Sequence, residues 1–117
     1  MDIRAKKSLG QNFLKDESVL QRIASSFDVT RNDLIIEIGP GMGALTKYLV
    51  QKPSDLLCYE IDERLKNTLL PFQKENVQII FDDFLKRDIQ SDLHKDYQNI
   101  YVIANIPYYI TTPIIEH

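Results

Sequence analysis

The feature that most constrains the fold is a glycine-rich turn that directly follows an apolar stretch. Residues 34–36 are Leu-Ile-Ile, and residues 37–46 read EIGPGMGALT. Gly39, Gly41 and Gly43 carry no Cβ, so the backbone can take positive φ angles and a ligand can approach closely. A helix that begins after the turn would direct free N–H groups and its positive dipole end at that ligand. The pattern is typical of nucleotide-type cofactor sites.

The spacing of these glycines differs from the dinucleotide-binding fingerprint. The chain has Gly-x-Gly-x-Gly, with Pro40 stiffening the turn, whereas the fingerprint is Gly-x-Gly-x-x-Gly. A turn that merely reverses the chain is the alternative. Because a strand–turn–helix context is what makes such a motif credible, the pattern favours cofactor binding.

Length and composition are those of one small domain. The chain has 117 residues, of which 44% are hydrophobic and 26% charged, with a net charge of −3 that argues against a dedicated nucleic-acid module. There is no apolar run of membrane-spanning length and no signal pattern, so we expect a cytoplasmic protein with no membrane partner. Cys58 is the single cysteine, which excludes an internal disulfide or a thiolate metal cluster and favours a buried structural thiol.

Four apolar stretches predict strands, at residues 34–38, 56–61, 77–81 and 99–104. Helical patterns cover residues 17–27, 44–50 and 62–70, with Asp16 and Asp62 as N-caps. Residues 86–96 predict a loop or short helix, with His94 on the surface. The alternation predicts an α/β fold, a parallel sheet of about four strands with flanking helices. Such a sheet is unfinished, so we expect a truncated domain.

Polar residues follow the predicted strands, at the edge where open parallel sheets bind ligands. Glu60 lies about 20 residues after the glycines, where an acidic residue holds ribose hydroxyls; the alternative is a cap for the next helix. Asp83 could accept from the exocyclic amine of an adenine, with Asp82 a solvated neighbour. Phe84 could cover the base or serve as a core aromatic.

The fourth predicted strand is followed by the most specific motif, Asn-Ile-Pro-Tyr at residues 105–108. The side-chain carbonyl of Asn105 and the backbone carbonyl of Ile106, extended because it precedes Pro107, could hold both hydrogens of an exocyclic amine. The nitrogen lone pair would then point at an electrophile, and Tyr108 could stack on the base. A plain turn with a buried tyrosine is the alternative, which the glycine turn and Glu60 disfavour.

Residues 1–15 combine basic and amide side chains. Four basic residues face one acidic residue there, and Lys6 and Lys7 could contact phosphates or belong to a solvated N-terminus. Gln11 and Asn12 could hydrogen-bond a ligand or cap the following turn.

Together these motifs resemble the S-adenosylmethionine-dependent rRNA adenine N6-dimethyltransferases. The resemblance rests on residues 37–46, Glu60, Asp83 and residues 105–108, and residues 6–14 (KKSLGQNFL) resemble that family's N-terminal motif. Stretches KSLG and ITTP are more similar to the housekeeping small-subunit rRNA branch than to the antibiotic-resistance branch that acts on large-subunit rRNA.

The resemblance implies a Rossmann-like methyltransferase fold and transfer of methyl groups from S-adenosylmethionine to adenine N6 in small-subunit rRNA, without a metal. Asn105 and Pro107 would position the target amine, Tyr108 would stack on the adenine, and Lys6 and Lys7 would contact RNA. The residues that the resemblance implies for cofactor binding are Gln11, Asn12, Leu14, Gly39, Gly41, Gly43, Glu60, Ile61, Asp83, Phe84 and Asn105.

Members of the family continue with further strands and a C-terminal helical RNA-binding domain. The resemblance therefore implies that residues 1–117 are the N-terminal cofactor-binding part of the methyltransferase domain, with those parts absent. We expect a monomer whose partner is the immature small ribosomal subunit and whose activity alone is poor. Alternatives are a resistance-type large-subunit rRNA methyltransferase, a dehydrogenase-type dinucleotide module, and a non-catalytic ribosome-assembly or RNA-binding factor.

Overall fold

A four-stranded parallel sheet is the centre of the computed structural model, which describes residues 16–104. The strands are β1 (Asp33–Ile38), β2 (Asp55–Tyr59), β3 (Val77–Ile80) and β4 (Asn99–Ala104). They lie in the order β3-β2-β1-β4, and every neighbouring pair is parallel. The predicted parallel α/β sheet is confirmed.

The helices are shorter than the sequence patterns predict. Asp16 and Asp62 accept backbone N–H bonds as predicted caps, but the first helix ends at Ser25 because the Ser26 hydroxyl donates to the Ile23 carbonyl. The helix predicted at 62–70 is a short α-helix between two 3₁₀ turns, and its α-helical part ends just before Pro71, which has no N–H to donate. The α-helices are α1 (Glu17–Ser25), α2 (Thr46–Leu49), α3 (Lys66–Leu69) and α4 (Ile89–Asp92).

The sheet is covered on both faces. All six residues of β1 are buried, as expected for a central parallel strand. Its side chains alternate between two apolar clusters. One contains Ile35 together with residues of α1, α2 and α3. The other contains Leu34 and Ile36, with Tyr59 of β2.

The strand register brings the carboxyl ends of the strands to one edge of the sheet. Ile38 lies opposite both Tyr59 and Ala104, and Tyr59 lies opposite Ile80. Strand β2 ends at Tyr59, so Glu60 and Ile61 follow the strand and do not belong to it as predicted. The loops after all four strands therefore begin side by side.

A buried polar cluster connects β1 to the helix that follows the glycine turn and to β2. Glu37 is fully buried, and its Oε1 accepts from the Thr46 hydroxyl at 2.7 Å and from Cys58 Sγ at 3.6 Å. Burial, reinforced by the Glu37 carboxylate, raises the pKa of the Cys58 thiol. Cys58 is thus a buried structural thiol, as predicted, and Thr46 ties the start of α2 to β1.

Candidate functional site

The glycine turn takes a backbone conformation that only glycine adopts readily. The φ angles of Gly39, Gly41 and Gly43 are 75°, 61° and 87°. Among residues 16–104, no atom lies within 4 Å of a Cβ added at Gly39 or Gly41, so the described part of the chain leaves open space beside these two glycines. At Gly43 that space is filled by Phe72, which gives a packing reason for this glycine.

Gly43→Ala is expected to destabilise the chain more than Gly39→Ala. The positive φ angle costs both variants about 1–2 kcal/mol, but only the Cβ at position 43 would lie 2.7 Å from Phe72 Cε2. We expect this overlap to lower the free energy of unfolding by about a further 1–3 kcal/mol. Urea unfolding of both variants measures the difference, and Phe72→Leu should recover part of it. Equal free energies would contradict the packing role.

Glu60 connects the loops that follow β1 and β2. Its side chain is buried, with Oε1 accepting from the Gly41 N–H at 2.9 Å and Oε2 from the Asp62 N–H at 3.0 Å. Each carboxylate oxygen can accept more than one hydrogen bond. Two backbone donors thus fix a carboxylate next to the open side of the turn, while acceptor capacity remains for a ligand. Both interpretations of Glu60 are compatible with this geometry.

Large apolar side chains stand exposed on the loops at this edge. Met42 is 70% exposed after β1, Ile61 67% after β2 and Leu85 83% after β3. Ile61, predicted to contact the cofactor, is thus exposed just after β2, where a flat apolar ligand group could cover it.

The loop after β3 places Asp83 and Phe84 beside β2. Asp83 Oδ1 accepts from the Leu85 N–H at 3.0 Å and caps a 3₁₀ turn, Phe84–Lys86. Within residues 16–104, Asp83 Oδ2 has no hydrogen-bond partner. The Phe84 ring packs edge-on against Tyr59, with centroids 5.2 Å apart. Phe84 is thus packed on the core but only partly buried, which is compatible with both of its predicted roles, and Asp83 keeps an oxygen available.

Asp82 is half-exposed, as predicted for a solvated neighbour of Asp83, but its carboxylate is also paired. Its Oδ1 accepts from the Asp83 N–H at 2.7 Å and its Oδ2 from Arg87 at 3.2 Å. These two contacts, the backbone bond first, lower the pKa of the Asp82 carboxyl. The side chain is held because the chain turns back after Phe84 and brings Arg87 within reach.

The sequence analysis missed Arg87, Asp92 and Tyr59 as a connected group. Arg87 donates to both oxygens of Asp92, at 3.1 and 2.5 Å, and the Tyr59 hydroxyl donates to Asp92 Oδ2 at 2.6 Å. Hydrogen bonds from Arg87 lower the pKa of Asp92 most, and burial raises that of Tyr59. The only sequence indication was the even spacing of Arg87, five residues from Asp82 and from Asp92.

Eight predicted site residues lie outside the part of the chain that the structure describes, and their placement stays a prediction. Strand β4 carries the chain as far as Ala104, opposite Ile38, immediately before the Asn-Ile-Pro-Tyr motif. The residues outside the described part are Lys6, Lys7, Gln11, Asn12, Leu14, Asn105, Pro107 and Tyr108.

Residues 16–104 contain neither a membrane-spanning helix nor a cluster of metal-binding side chains. No helix in that range is long and apolar enough to cross a membrane. Nor does any group of three or more His, Cys, Asp or Glu side chains there have the arrangement to hold a metal ion.

His94 is exposed, as predicted, and its Nε2 lies 2.7 Å from Gln78 Oε1.

A family model described as "Ribosomal RNA adenine dimethylase" matches residues 3–117. The chain belongs to this family. Among relatives, a Streptococcus thermophilus protein named "Ribosomal RNA small subunit methyltransferase A" is 47% identical over 118 residues. A protein of the same name from Streptococcus equi subsp. zooepidemicus is 47% identical over 120 residues. Each match covers 96% of this adenine dimethylase chain but 40% of the relative, so the chain spans less than half the length of these relatives.

Solved structures are similar to this member of the adenine dimethylase family over part of its length. The 23S rRNA methyltransferase ErmE matches with a TM-score of 0.53 and 30% identity, covering 62% of this chain and 31% of ErmE. The tRNA (m1A58) methyltransferase TrmI from Aquifex aeolicus matches with a TM-score of 0.52 and 22% identity, covering 59% and 30%. The second likeness concerns the fold alone. The predicted Rossmann-like methyltransferase fold is confirmed.

Proposed function

We propose that this chain holds S-adenosylmethionine and forms the cofactor side of an enzyme that methylates the N6 of adenines in small-subunit rRNA. The observation that carries the proposal is the Glu60 carboxylate, fixed by two backbone donors beside the open space at Gly41. A carboxylate in that position suits the two vicinal hydroxyls of a ribose. Membership of the adenine dimethylase family supports the chemistry.

The described side chains fit an adenosine-containing cofactor. Gly39 and Gly41 would accommodate its methionine part, Glu60 would accept from its ribose, and Asp83 Oδ2 could accept from the adenine amine. Ile61 and Phe84 would contact the base. Further contacts with the cofactor would come from residues outside the described part of the chain, namely Gln11, Asn12, Leu14 and Asn105. S-adenosylmethionine, when bound, supplies a methyl group on a positively charged sulfonium.

The acceptor side would be built by the Asn-Ile-Pro-Tyr motif. The Asn105 side-chain carbonyl and the backbone carbonyl before Pro107 would accept the two hydrogens of the adenine amine and orient its lone pair, while Tyr108 stacks on the ring. Rate enhancement would come mainly from this positioning. The target adenine has to leave its stack to reach the edge of the sheet.

The substrate proposal favours small-subunit over large-subunit rRNA. Relatives named for the small subunit are 47% identical over 96% of this chain, whereas the 23S rRNA methyltransferase ErmE is 30% identical over the 62% of it that matches in structure. We assign the immature small ribosomal subunit as partner, a monomeric state, a cytoplasmic location, and RNA contacts to Lys6 and Lys7. Because the relatives are longer, residues 1–117 would be the cofactor-binding part of the methyltransferase domain, and most RNA binding would lie outside the matched length.

A chimera tests this proposal. Residues 1–117 would replace the matched 40% of the Streptococcus thermophilus relative, and transfer of a radiolabelled methyl group to immature small subunits would be measured. We expect adenine methylation of small-subunit rRNA, at least about tenfold faster than by the isolated chain, because positioning needs both sides of the pocket. Preference for large-subunit rRNA would favour the resistance-type alternative. Cofactor binding without any methylation would favour a non-catalytic factor.

A further inference from the structure

An ion-pair chain links the loop after β3 to the interior of the sheet. The Arg87 guanidinium contacts Asp82 Oδ2 at 3.2 Å on one side and Asp92 on the other. The Asp92 side chain is only 7% exposed and also accepts from the buried Tyr59 hydroxyl. Asp92 is therefore a nearly buried anchor beside β2, and Arg87 connects the half-exposed Asp82 to it.

This chain of contacts extends to the segment that carries Asp83. Asp82 Oδ1 accepts from the Asp83 N–H, so holding Asp82 also holds the peptide that orients Asp83. The next residue, Phe84, packs on the ring of Tyr59, whose hydroxyl is fixed by Asp92. The loop is thus attached to β2 at two points, and both depend on the same anchor.

The chemistry of arginine suits this connection. A guanidinium is planar and can donate to two carboxylates at once in a fixed geometry, which the compact ammonium of lysine does not reproduce. Because two carboxylates lie within reach of one guanidinium, removing the guanidinium would leave them facing each other, which favours their separation. Asp92 is anchored, so the loop carrying Asp82 would be the part that moves.

We propose that Arg87 is a positioning residue for the adenine end of the cofactor site, which it maintains by holding Asp82 against Asp92. The proposal rests on the proposed role of Asp83 as acceptor for the adenine amine. Arg87 itself need not touch the ligand. Its effect is to keep Asp83 Oδ2 aimed at one place, so that the site distinguishes an amine from an oxygen at that position.

The test compares two ligands that differ at one group: S-adenosylhomocysteine and its inosine analogue, in which an oxygen replaces the 6-amine. Calorimetry on the full chain gives the ratio of their dissociation constants. We expect the unsubstituted chain to prefer the amine by about 10- to 100-fold, the effect of one hydrogen bond to a charged group. Arg87→Gln should reduce this ratio to about threefold or less, with Arg87→Lys in between.

Control variants separate positioning from general damage. Asp83→Ala should abolish the preference, and Arg31→Gln, which removes an exposed arginine at the opposite edge of the sheet, should leave it unchanged. If Arg87→Gln fails to fold, Asp82→Asn breaks the same link on the half-exposed side and should also lower the ratio. Circular dichroism confirms folding.

The outcomes distinguish this inference from the function on which it rests. If Asp83→Ala abolishes the preference but Arg87→Gln and Asp82→Asn keep it, the positioning role is wrong and the proposed function stands. If Asp83→Ala keeps the preference, or the unsubstituted chain binds neither ligand, the cofactor role of Asp83 fails and the inference fails with it.

Discussion

Glu60→Ala is expected to weaken the binding of S-adenosylmethionine by about 100- to 1,000-fold. Two hydrogen bonds from ribose hydroxyls to a charged acceptor contribute roughly 3–4 kcal/mol together, and each 1.4 kcal/mol or so is tenfold in affinity. The substitution also removes the acceptor for the Gly41 N–H, which adjoins the open side of the turn. Isothermal titration calorimetry on the chain measures the loss.

Glu60→Gln tests whether charge or shape matters at this position. Both oxygens of Glu60 accept from backbone N–H groups, of Gly41 and of Asp62. An amide has one oxygen, so its NH₂ group would face one of these donors. We therefore expect Glu60→Gln to lose nearly as much affinity as Glu60→Ala, although it preserves the volume of the side chain.

Glu63→Ala is the matched control for both variants. Glu63 lies three residues further along, and its exposed carboxylate pairs with Lys66 at 3.2 Å. An exposed pair of this kind contributes about 0–1 kcal/mol to stability, and the side chain is outside the site. We expect the affinity of the Glu63→Ala variant for S-adenosylmethionine to be unchanged. Equal affinity of the Glu60 and Glu63 variants would contradict ribose binding by Glu60.

The strands and the turn could be predicted because their causes are local in the chain. Unbroken apolar residues such as Leu34 to Ile36 need burial on both faces, which a central parallel strand provides. The glycines are required where φ is positive, and all three have positive φ. From these two facts the edge of the sheet where the candidate site lies can be predicted.

Element ends were predicted less well because they depend on competition between nearby groups. Strand β2 ends at Tyr59, and the carboxylate of the next residue, Glu60, accepts from the Gly41 N–H on the neighbouring loop. The helix predicted at residues 62–70 begins as a 3₁₀ turn, Glu63–Leu65, before the α-helical turn α3. Apolar periodicity continues through such positions, so periodicity alone gives no sign of where the type of helix changes.

The Arg87 network could not be predicted because it depends on how separate elements pack. Tyr59 and Asp92 are 33 residues apart, and their hydrogen bond exists only after α4 docks beside β2. From the sequence alone, the charged residues between Lys86 and Asp96 predict only a loop or short helix. The distinction between Asp82, which is paired, and Asp83, which keeps a free oxygen within residues 16–104, is likewise a product of the fold.

Asn105→Ala is expected to lower the rate of methyl transfer by the chimera about 1,000-fold. The lone pair of an adenine amine is conjugated with the ring, so the nitrogen is a poor nucleophile until its hydrogens are held by acceptors. Removing one group that stabilises the reacting geometry typically lowers the rate by about 10²- to 10³-fold. Binding of S-adenosylmethionine should weaken far less, by about tenfold, since the other cofactor contacts remain.

Asn99→Ala is the control from the other end of the same strand. The Asn99 side chain donates to Asp33 Oδ1 at 3.0 Å, at the amino edge of the sheet, while β4 carries the chain to Ala104 at the carboxyl edge. Its loss should lower stability by about 1 kcal/mol and leave the rate of the folded chimera unchanged. Single-turnover assays with saturating cofactor separate the chemical step from binding. If Asn105→Ala methylates as fast as Asn99→Ala, the amine is not held by Asn105, and the acceptor side must be built by residues beyond the Asn-Ile-Pro-Tyr motif.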